Sequence, residues 1–453
     1  MNRWYKFVTL LAALAMVLAA CGGDGGDSST TAGPGGPPDD ADSYTDVDVS
    51  GTEVSVWAAP TGDEGASIQA TFDIYGEAED ATVTYLGSDS FEQDLRIAVD
   101  GGAPPDIAIT PQPGSICVFA DAGEIVSLEE LGLDIDALEA AHGEYFMNLG
   151  VCDDGNHYSV PTNANYKSII WYNKPLFDDG GYEIPESWDA LVALSEEIRD
   201  AGTTPWCIGL GSEAATGWPG TDWIEDIMVR TAGVDVYNHW SNHEIPFNDP
   251  AVVNAFDTYA EIMFGEEFVL GGADGVSAID FRDAPDPMFN EPPACMFHRQ
   301  ASFIANFFPE GVVPGTDADF FDFPAIDNTD PIAMGGGELM MVFNNRPEVA
   351  AFLAAYAGPD LQCVQASPAG HGVAGIERIS ANANTSVDCY ESDTVKKQAE
   401  AVSAALGANG FVFDASDLMP PEVGQGSFWT GMVDWTRGTS TQDVVESIEN
   451  SWP

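Results

Sequence analysis

Basic residues are scarce in this sequence. Its 453 residues include 14 Lys and Arg against 74 Asp and Glu, which gives a formal net charge of −60. Such a chain repels polyanions, so nucleic acids and anionic lipid surfaces are unfavourable partners. Because 45% of the residues are hydrophobic, the charge does not imply disorder. Salt screens charges over a few ångströms, so the acid excess indicates adaptation to a saline environment and not a binding site.

Common catalytic motifs are also missing. The sequence contains no G-x-S-x-G, H-E-x-x-H, G-x-x-x-x-G-K-[ST] or G-x-G-x-x-G, so serine-hydrolase, zinc-protease and nucleotide-binding functions lack support. A secreted glycoside hydrolase remains an alternative, since two carboxylates about 5–9.5 Å apart are easily found among so many acids. A non-catalytic surface adhesion lipoprotein is another, although it predicts repeats or β-sandwich patterning, and neither is visible.

No long apolar run occurs after the N-terminus. Arg3 and Lys6 precede the apolar residues 7–18, and Leu18-Ala-Ala-Cys21 follows directly. This arrangement resembles a lipobox, so we expect a signal peptide over residues 1–20 and lipid on the Cys21 thiol. Residues 21–44 are rich in Gly, Ser, Pro and Asp, which predicts a flexible acidic tether. A transmembrane anchor is the alternative, but the run is shorter than the ~20 apolar residues of a span.

Cysteine spacing favours disulfides over metal binding. Six cysteines remain beside Cys21, and no C-x-x-C is present. An even number in an exported chain suggests disulfides. Shorter loops close more readily, so neighbours are predicted to pair, while free buried cysteines remain the alternative. The predicted pairs are Cys117–Cys152, Cys207–Cys295 and Cys363–Cys389.

Strand and helix patterns alternate at the start of the folded region. Strands are predicted over residues 54–57, 81–86 and 106–110, with helices over 66–75 and 91–100 between them. This order predicts an α/β fold with a parallel layer, in which ligands lie beyond the carboxyl ends of the strands. Residues 58–64, 87–90 and 111–114 follow those strands. A second α/β block begins near Tyr166, with helices at 220–232, 249–264, 348–356 and 392–406, and Ser187 as a helix N-cap.

Motifs in the second block resemble a known family. They are Lys167-Ser-Ile-Ile-Trp-Tyr-Asn-Lys-Pro-Leu-Phe177, Ile184-Pro185 and Ser187-Trp-Asp-Ala-Leu191. This pattern is similar to the signature of family 1 extracellular solute-binding proteins, the carbohydrate receptors of ABC importers. Pro111-Gln-Pro-Gly114, residues 215–223 and Gly335-Gly-Gly337 resemble the alpha-glucoside subgroup. The likeness extends from about residue 54 to 435.

The resemblance implies a two-lobed, maltose-binding-protein-like (type II) periplasmic-binding fold with a hinge and an interlobe ligand cleft. The amino-terminal lobe would comprise 45–163 plus 335–391, and the carboxyl-terminal lobe 164–334 plus 392–453. The implied function is capture of a sugar, such as an alpha-glucoside or another oligosaccharide, for delivery to membrane permease subunits with a cytoplasmic ATPase. The protein would be a monomer without enzymatic activity, held outside the cytoplasmic membrane by lipid on Cys21.

Sugar binding requires flat aromatic rings for C–H faces and polar groups for hydroxyls. Trp218, Trp223 and Trp429 lie in Gly/Pro-rich surroundings and are candidate stacking platforms, with ordinary lobe packing as the alternative. Asp222 lies between the first two. Phe303 ends the stretch Ala301-Ser-Phe303, and members of the family often carry Trp at this position. Phe303 is therefore expected either to stack on the sugar or to fill the core.

Polar candidates follow the first three strands. The resemblance implies that Glu64 grips sugar hydroxyls, with a solvated surface role as the alternative. Asp89 and Gln112 occupy the corresponding turns, while Gly336 and Glu338 belong to a glycine run that permits close backbone approach. No cofactor and no metal are predicted, because the acids at 317, 319 and 322 lack the spacing of a calcium loop.

Overall fold

The computed structural model describes residues 44–327, 332–368 and 376–453. The predicted signal peptide, Cys21 with its predicted lipid and all of the predicted tether except residue 44 lie outside these ranges. No helix within them has the length and apolarity needed to cross a membrane.

Strands β1–β11 span Glu53–Ala58, Thr82–Gly87, Ile107–Thr110, Ser159–Tyr166, Ile169–Asn173, Thr204–Trp206, Cys295–Arg299, Ala318–Asp322, Ala333–Val342, Ile379–Ser380 and Phe411–Phe413. Helices α1–α8 span Gly62–Glu79, Phe91–Asp100, Pro113–Asp121, Ile135–His142, Glu144–Asn148, Lys174–Gly180, Trp188–Asp200 and Trp218–Ala232. Helices α9–α16 span Val234–Ser241, Pro250–Met263, Pro347–Ala357, Pro359–Ala366, Asp393–Gly407, Ala415–Leu418, Trp429–Thr436 and Thr441–Glu449. A π-helical turn, Glu422–Phe428, leads into α15.

The strands form a large and a small sheet. The large sheet has the order β10-β4-β9-β3-β1-β2, with β11 also paired to β9. Strands β1, β2 and β3 are parallel, as predicted, whereas β9 runs antiparallel to both β3 and β4. The small sheet has the order β6-β7-β5-β8. Because β1, β2 and β3 are parallel, their following turns lie at one edge of the large sheet.

Local sequence explains where the helices begin. The Ser187 side chain accepts a hydrogen bond from the Ala190 backbone N–H at 3.3 Å, which caps α7 as predicted. Asp249 caps α10 in the same way through Ala251, and Ser392 caps α13. These polar caps satisfy backbone N–H groups that have no partner inside the helix.

Each sheet packs against helices through aromatic and aliphatic side chains. On one face of the large sheet, Phe72 of α1 contacts Phe352 and Tyr356 of α11 edge to face, with ring centroids 5.1 and 5.5 Å apart. Beside the small sheet, Trp206 contacts Trp223 of α8. Trp171 and Trp188 are buried.

The three predicted disulfides are all present. Cys117–Cys152, Cys207–Cys295 and Cys363–Cys389 have Cα–Cα distances of 5.4, 5.8 and 5.3 Å. Each bond joins neighbouring cysteines in the sequence, which agrees with the expectation from loop-closure entropy.

Sheet membership changes twice along the described part of the chain, between β4 and β5 and between β8 and β9. The predicted lobe boundaries stay a prediction. Strand β11 pairs with β9 of the large sheet, and α13 packs against β4 and β9.

Candidate ligand-binding site

A cavity of about 500 Å³ is lined by residues from the surroundings of both sheets. The turns after β1, β2 and β3 contribute Glu64, Asp89 and Gln112. These are the turns that the parallel order of strands identified. The Gln112 side-chain amide is already engaged, because its oxygen accepts from the Thr110 hydroxyl at 3.0 Å and its nitrogen donates to Glu92 at 3.4 Å.

An arginine joins two of the predicted acidic residues. Arg378 donates from Nη2 to Glu64 at 2.8 Å and from Nη1 to Glu338 at 2.6 Å, and its Nε has no hydrogen-bond partner among the described residues. Burial raises the pKa of Glu64 even though Arg378 opposes that change. The two carboxylates outweigh burial at Arg378 and raise the pKa of its guanidinium. The group therefore places two carboxylate acceptors along the cavity wall.

A buried lysine occupies the crossover between β4 and β5. Lys167 Nζ lies 3.0 Å from Asp222 Oδ1 and 2.5 Å from Asp414 Oδ2. Burial disfavours the ammonium, but these two carboxylates prevail and raise the pKa of Lys167 above its ordinary value. Burial likewise opposes ionisation of Asp414, yet Lys167 holds the pKa of that carboxyl below its usual range. The same ammonium lies 5.2 Å from the centroid of the Trp218 ring.

More charges lie behind Lys167. Arg299 Nη1 is 2.9 Å from Asp222 Oδ2, an ion contact without hydrogen-bond alignment. Burial raises the pKa of Asp222 to about 6 despite both cations. The carboxylates of Asp222, Glu225 and Asp414 lie within 4.8 Å of one another, a spacing that could hold a cation. In this structure Lys167 supplies a positive charge there, and Glu225 accepts from the backbone N–H groups of residues 415 and 416.

Aromatic rings form another wall. Trp218 lies 5.0 Å from Phe281 and 6.2 Å from Phe303, measured between ring centroids. Phe307 extends the group at 6.0 Å from Phe281. All four side chains line the cavity, and Trp218 is only partly buried. They offer the apolar surface on which the C–H faces of a sugar can stack.

Trp429 lines the cavity at the start of α15, directly after the π-helical turn. Its indole Nε1 is buried without a hydrogen-bond partner in the described part of the chain, so a donor is left available. Gly217 has a φ of +119°, and a Cβ there would lie 2.1 Å from the Trp429 carbonyl oxygen. Glycine is therefore required where the loop before α8 meets Trp429.

An ion pair connects the surroundings of the two sheets. Arg282 Nη2 lies 2.9 Å from Asp89 Oδ1. Asp89 follows β2 of the large sheet, whereas Arg282 lies between β6 and β7 of the small sheet. Arg282 also lies 3.6 Å from Asp280 and stacks over the Phe281 ring. Because both partners of the pair are partly exposed, its strength depends on salt.

Two predicted contact residues do not line the cavity. Trp223 is 1% exposed, and its ring stacks on Tyr259 at 4.7 Å, so it is a core residue. Asp222 is fully buried behind Lys167. Both lie on α8. Five residues after Trp218, Trp223 points away from it into the interior, whereas Asp222, one turn after Trp218, lies on the same face and is covered by Lys167.

The glycine run serves strand packing as well as the cavity. A Cβ on Gly337 would lie 2.4 Å from the Asn163 carbonyl oxygen, and one on Gly335 would lie 2.4 Å from the Phe411 ring. Gly336 lines the cavity, where a Cβ would meet the Lys167 side chain at 3.1 Å. The groups that approach these glycines closely are therefore the backbone of β4 and the side chains of Phe411 and Lys167.

Several lining residues were missed at the sequence level, among them Lys167, Phe281, Arg282, Phe307 and Arg378. Lys167 stood inside the family-like motif, but nothing in that motif marks an ammonium facing a cavity. Nothing in the local sequence around Arg282 or Arg378 marked either residue for the cavity.

Comparisons with known proteins identify the family. The profile of the family described as bacterial extracellular solute-binding protein matches residues 58–362. The chain is 37% identical over 414 residues to the alpha-glucosides-binding periplasmic protein AglE of Rhizobium meliloti (strain 1021), covering 89% of this chain and 88% of the relative. It is 36% identical over 453 residues to the osmoprotective compounds-binding protein GgtB of Synechocystis sp. (strain ATCC 27184 / PCC 6803 / Kazusa), covering 100% of both.

Solved structures share the fold. The bacterial solute receptor AcbH, described as having an exclusive preference for b-D-galactopyranose, aligns with a TM-score of 0.74 at 18% identity, covering 88% of this chain and 98% of that one. Maltose-bound MalE3 of T. maritima aligns with a TM-score of 0.67 at 15% identity over 88% and 98% of the two chains. At these identities the likeness concerns the fold alone, and it confirms the predicted two-lobed type II architecture.

Proposed function

Because the chain belongs to the bacterial extracellular solute-binding proteins, we propose that it captures an alpha-glucoside or another oligosaccharide in the cavity between its two sheets. The coarser role follows from the family: the protein is a sugar-binding component of an ABC importer and not an enzyme. Permease subunits in the membrane are the expected partners.

The observation that carries the proposal is the pairing of an aromatic wall with a wall of carboxylates. Trp218 and the neighbouring phenylalanines offer apolar surface, while Glu64 and Glu338 offer strong acceptors for hydroxyl groups. A volume of about 500 Å³ lies in the range typical of small-molecule sites. The relatives AglE and GgtB, which by name bind alpha-glucosides and osmoprotective compounds, support this ligand class.

Capture would proceed by closure of two lobes over the sugar. The ligand stacks on Trp218, Phe303 and Trp429, and polar groups of the large sheet bind its hydroxyls. Arg282 and Asp89 come from opposite sides of the cavity, so their ion pair forms only when the lobes are closed. A ligand that contacts both sides stabilises this closed state through its differential affinity.

The proposal includes the cellular setting. Residues 1–20 act as a signal peptide, and lipid on Cys21 holds a monomeric receptor at the outer face of the cytoplasmic membrane. The net charge of −60 suits a protein that works in high salt.

Calorimetric titration tests the ligand assignment. The full chain would be titrated in high salt with maltose, trehalose, sucrose and maltotriose, and the same mixtures would be assayed for released glucose. We expect micromolar or tighter binding of at least one sugar, with every sugar left intact. Trp218→Ala should weaken that binding roughly 30-fold, whereas Trp452→Ala, which removes a ring stacked on His243, serves as the matched control. Absence of binding to all four sugars would overturn the alpha-glucoside proposal.

A further inference from the structure

Three basic side chains line the cavity within the described ranges, and each is shared between two carboxylates. Arg378 pairs with Glu64 and Glu338, as described above. Lys167 pairs with Asp222 and Asp414.

The third cation is Arg282, which pairs with Asp89 at 2.9 Å and with Asp280 at 3.6 Å. One ionised carboxylate suffices to neutralise each cation. The second gives the Arg378 and Arg282 groups a net negative charge, whereas in the Lys167 group Asp222 also contacts Arg299.

We infer that this cavity selects uncharged glycosides and rejects glycosides that carry a carboxylate, an inference that rests on the proposed sugar-binding function. An incoming carboxylate would have to displace Glu64, Glu338 or another protein acid from its cation. The displaced acid would then remain in the cavity without a counter-charge, which is unfavourable in a site of low solvent access. A neutral hydroxyl makes no such demand, because it donates to a carboxylate that keeps its own cation.

The other ionisable side chains of the cavity lining are acidic and also disfavour an anionic ligand. Glu92, Glu213, Glu377 and Asp417 also line the cavity. Burial raises the pKa of Glu92, Glu377 and Asp417. A protonated carboxyl there can donate a hydrogen bond to a sugar oxygen, and an ionised one repels an anion. None of these four side chains supplies a positive charge to bind a carboxylate ligand.

Matched pairs of ligands separate charge from shape. Maltitol and maltobionate have the same skeleton but end in CH2OH or in carboxylate, and methyl α-glucoside and methyl α-glucuronide form a second pair. The full chain would be titrated with all four at about pH 7.5 by calorimetry. We expect the anionic member to bind at least roughly 30-fold more weakly than its neutral partner. Equal affinities within about threefold would overturn charge selection while leaving the sugar-binding proposal intact. If no sugar binds, neutral or charged, the proposed function fails and this inference with it.

A double variant provides a gain-of-function test. Glu64→Gln with Glu338→Gln keeps the size of both side chains but leaves Arg378 without a carboxylate partner. The ratio of anionic to neutral dissociation constants should then fall at least about tenfold. Asp89→Asn is a second, independent test, directed at the Arg282 group. Because Asp89 is partly exposed, this test remains available even if the double variant does not fold. We expect that variant to lower the ratio about threefold.

The matched control is Glu348→Gln. Arg346 is also shared between two carboxylates, Asp106 at 2.7 Å and Glu348 at 2.8 Å, but none of the three lines the cavity. This variant removes the same kind of ion pair and changes the net charge of the chain. The ratio should remain at the wild-type value. An equal drop in the ratio for Glu348→Gln and the cavity variants would attribute the effect to overall charge and overturn the inference.

Discussion

Replacing Lys167 with methionine tests whether the buried charges at the crossover depend on its ammonium. Methionine keeps most of the apolar stem and removes the charge. Asp414 then loses a partner at 2.5 Å, and Asp222 loses one at 3.0 Å. Arg299 still contacts Asp222 but does not pair with Asp414. The variant therefore leaves a buried carboxylate largely uncompensated.

The expected loss of stability can be estimated from these distances. With an effective dielectric constant of about 20, each attraction is worth roughly 5–7 kcal/mol before the dehydration of the charges is subtracted. Removal of one partner from a buried ion pair typically costs about 3–5 kcal/mol in unfolding free energy. We expect a loss in this range near pH 7.5.

The loss should depend on pH. In the wild type, Lys167 lowers the pKa of Asp414, so this carboxyl contributes stability above its unfolded pKa of about 4, and the contribution is lost as pH falls through the lower folded pKa. In the variant, burial without the ammonium raises the folded pKa of Asp414 above the unfolded value. Folding is then penalised above about pH 4, and the penalty grows as pH rises to the folded pKa. The deficit of the variant should therefore shrink between about pH 7.5 and pH 5.

Denaturant unfolding of wild type and variant at both pH values, in the same salt, measures this deficit. Lys174→Met is the control, because Lys174 pairs with Asp178 at 3.3 Å with both side chains partly exposed. An exposed pair of this kind contributes less than about 1 kcal/mol. A deficit for Lys167→Met no larger than that of the control, or one that grows toward pH 5, would refute the reasoning.

Three further predictions concern the aromatic wall, the connecting ion pair and a disulfide. Trp218→Ala should weaken sugar binding by about 2 kcal/mol, roughly 30-fold in Kd by calorimetry, while Trp223→Ala should instead lower the unfolding free energy by about 3–5 kcal/mol. Arg282→Gln should raise the Kd for sugar at most about fivefold near 0.15 M salt and leave it unchanged near 2 M salt, because salt screens the partly exposed ion pair that the variant removes. An equal effect at both salt concentrations would contradict this prediction. Cys117→Ala with Cys152→Ala should cost about 3–4 kcal/mol in denaturant unfolding for a sequence separation of 35, and an unchanged midpoint would be contrary evidence.

Local patterns were sufficient for the elements that begin the fold. The helix predicted over 91–100 has those bounds, and the strand predicted over 54–57 lies within β1. Parallel order placed Glu64, Asp89 and Gln112 at one edge of the large sheet, and all three line the cavity. Strand β9 lies between β3 and β4 in the sheet and is antiparallel to both, although it comes much later in the sequence. Local patterns could not predict this position, because it depends on long-range contacts.

Side-chain direction was the other quantity that pattern alone could not supply. Trp218 and Trp223 share one Gly/Pro-rich stretch, yet one lines the cavity and the other stacks on Tyr259. The five-residue step along α8 separates them, and it could be used only after the start of that helix was known.

The sequence by itself indicated the family, the order of the first strands and helices and the disulfide pairs, and eight of its ten predicted contact residues line the cavity, because each depends on local pattern, spacing or a recognisable motif. Only the tertiary structure decided which acidic residues form ion pairs with the few basic residues. Arg378 reaches Glu64 across 314 positions, and Lys167 reaches Asp414 across 247. Charge is a property of each residue, but a pKa and a binding preference arise from the neighbours that folding brings within a few ångströms.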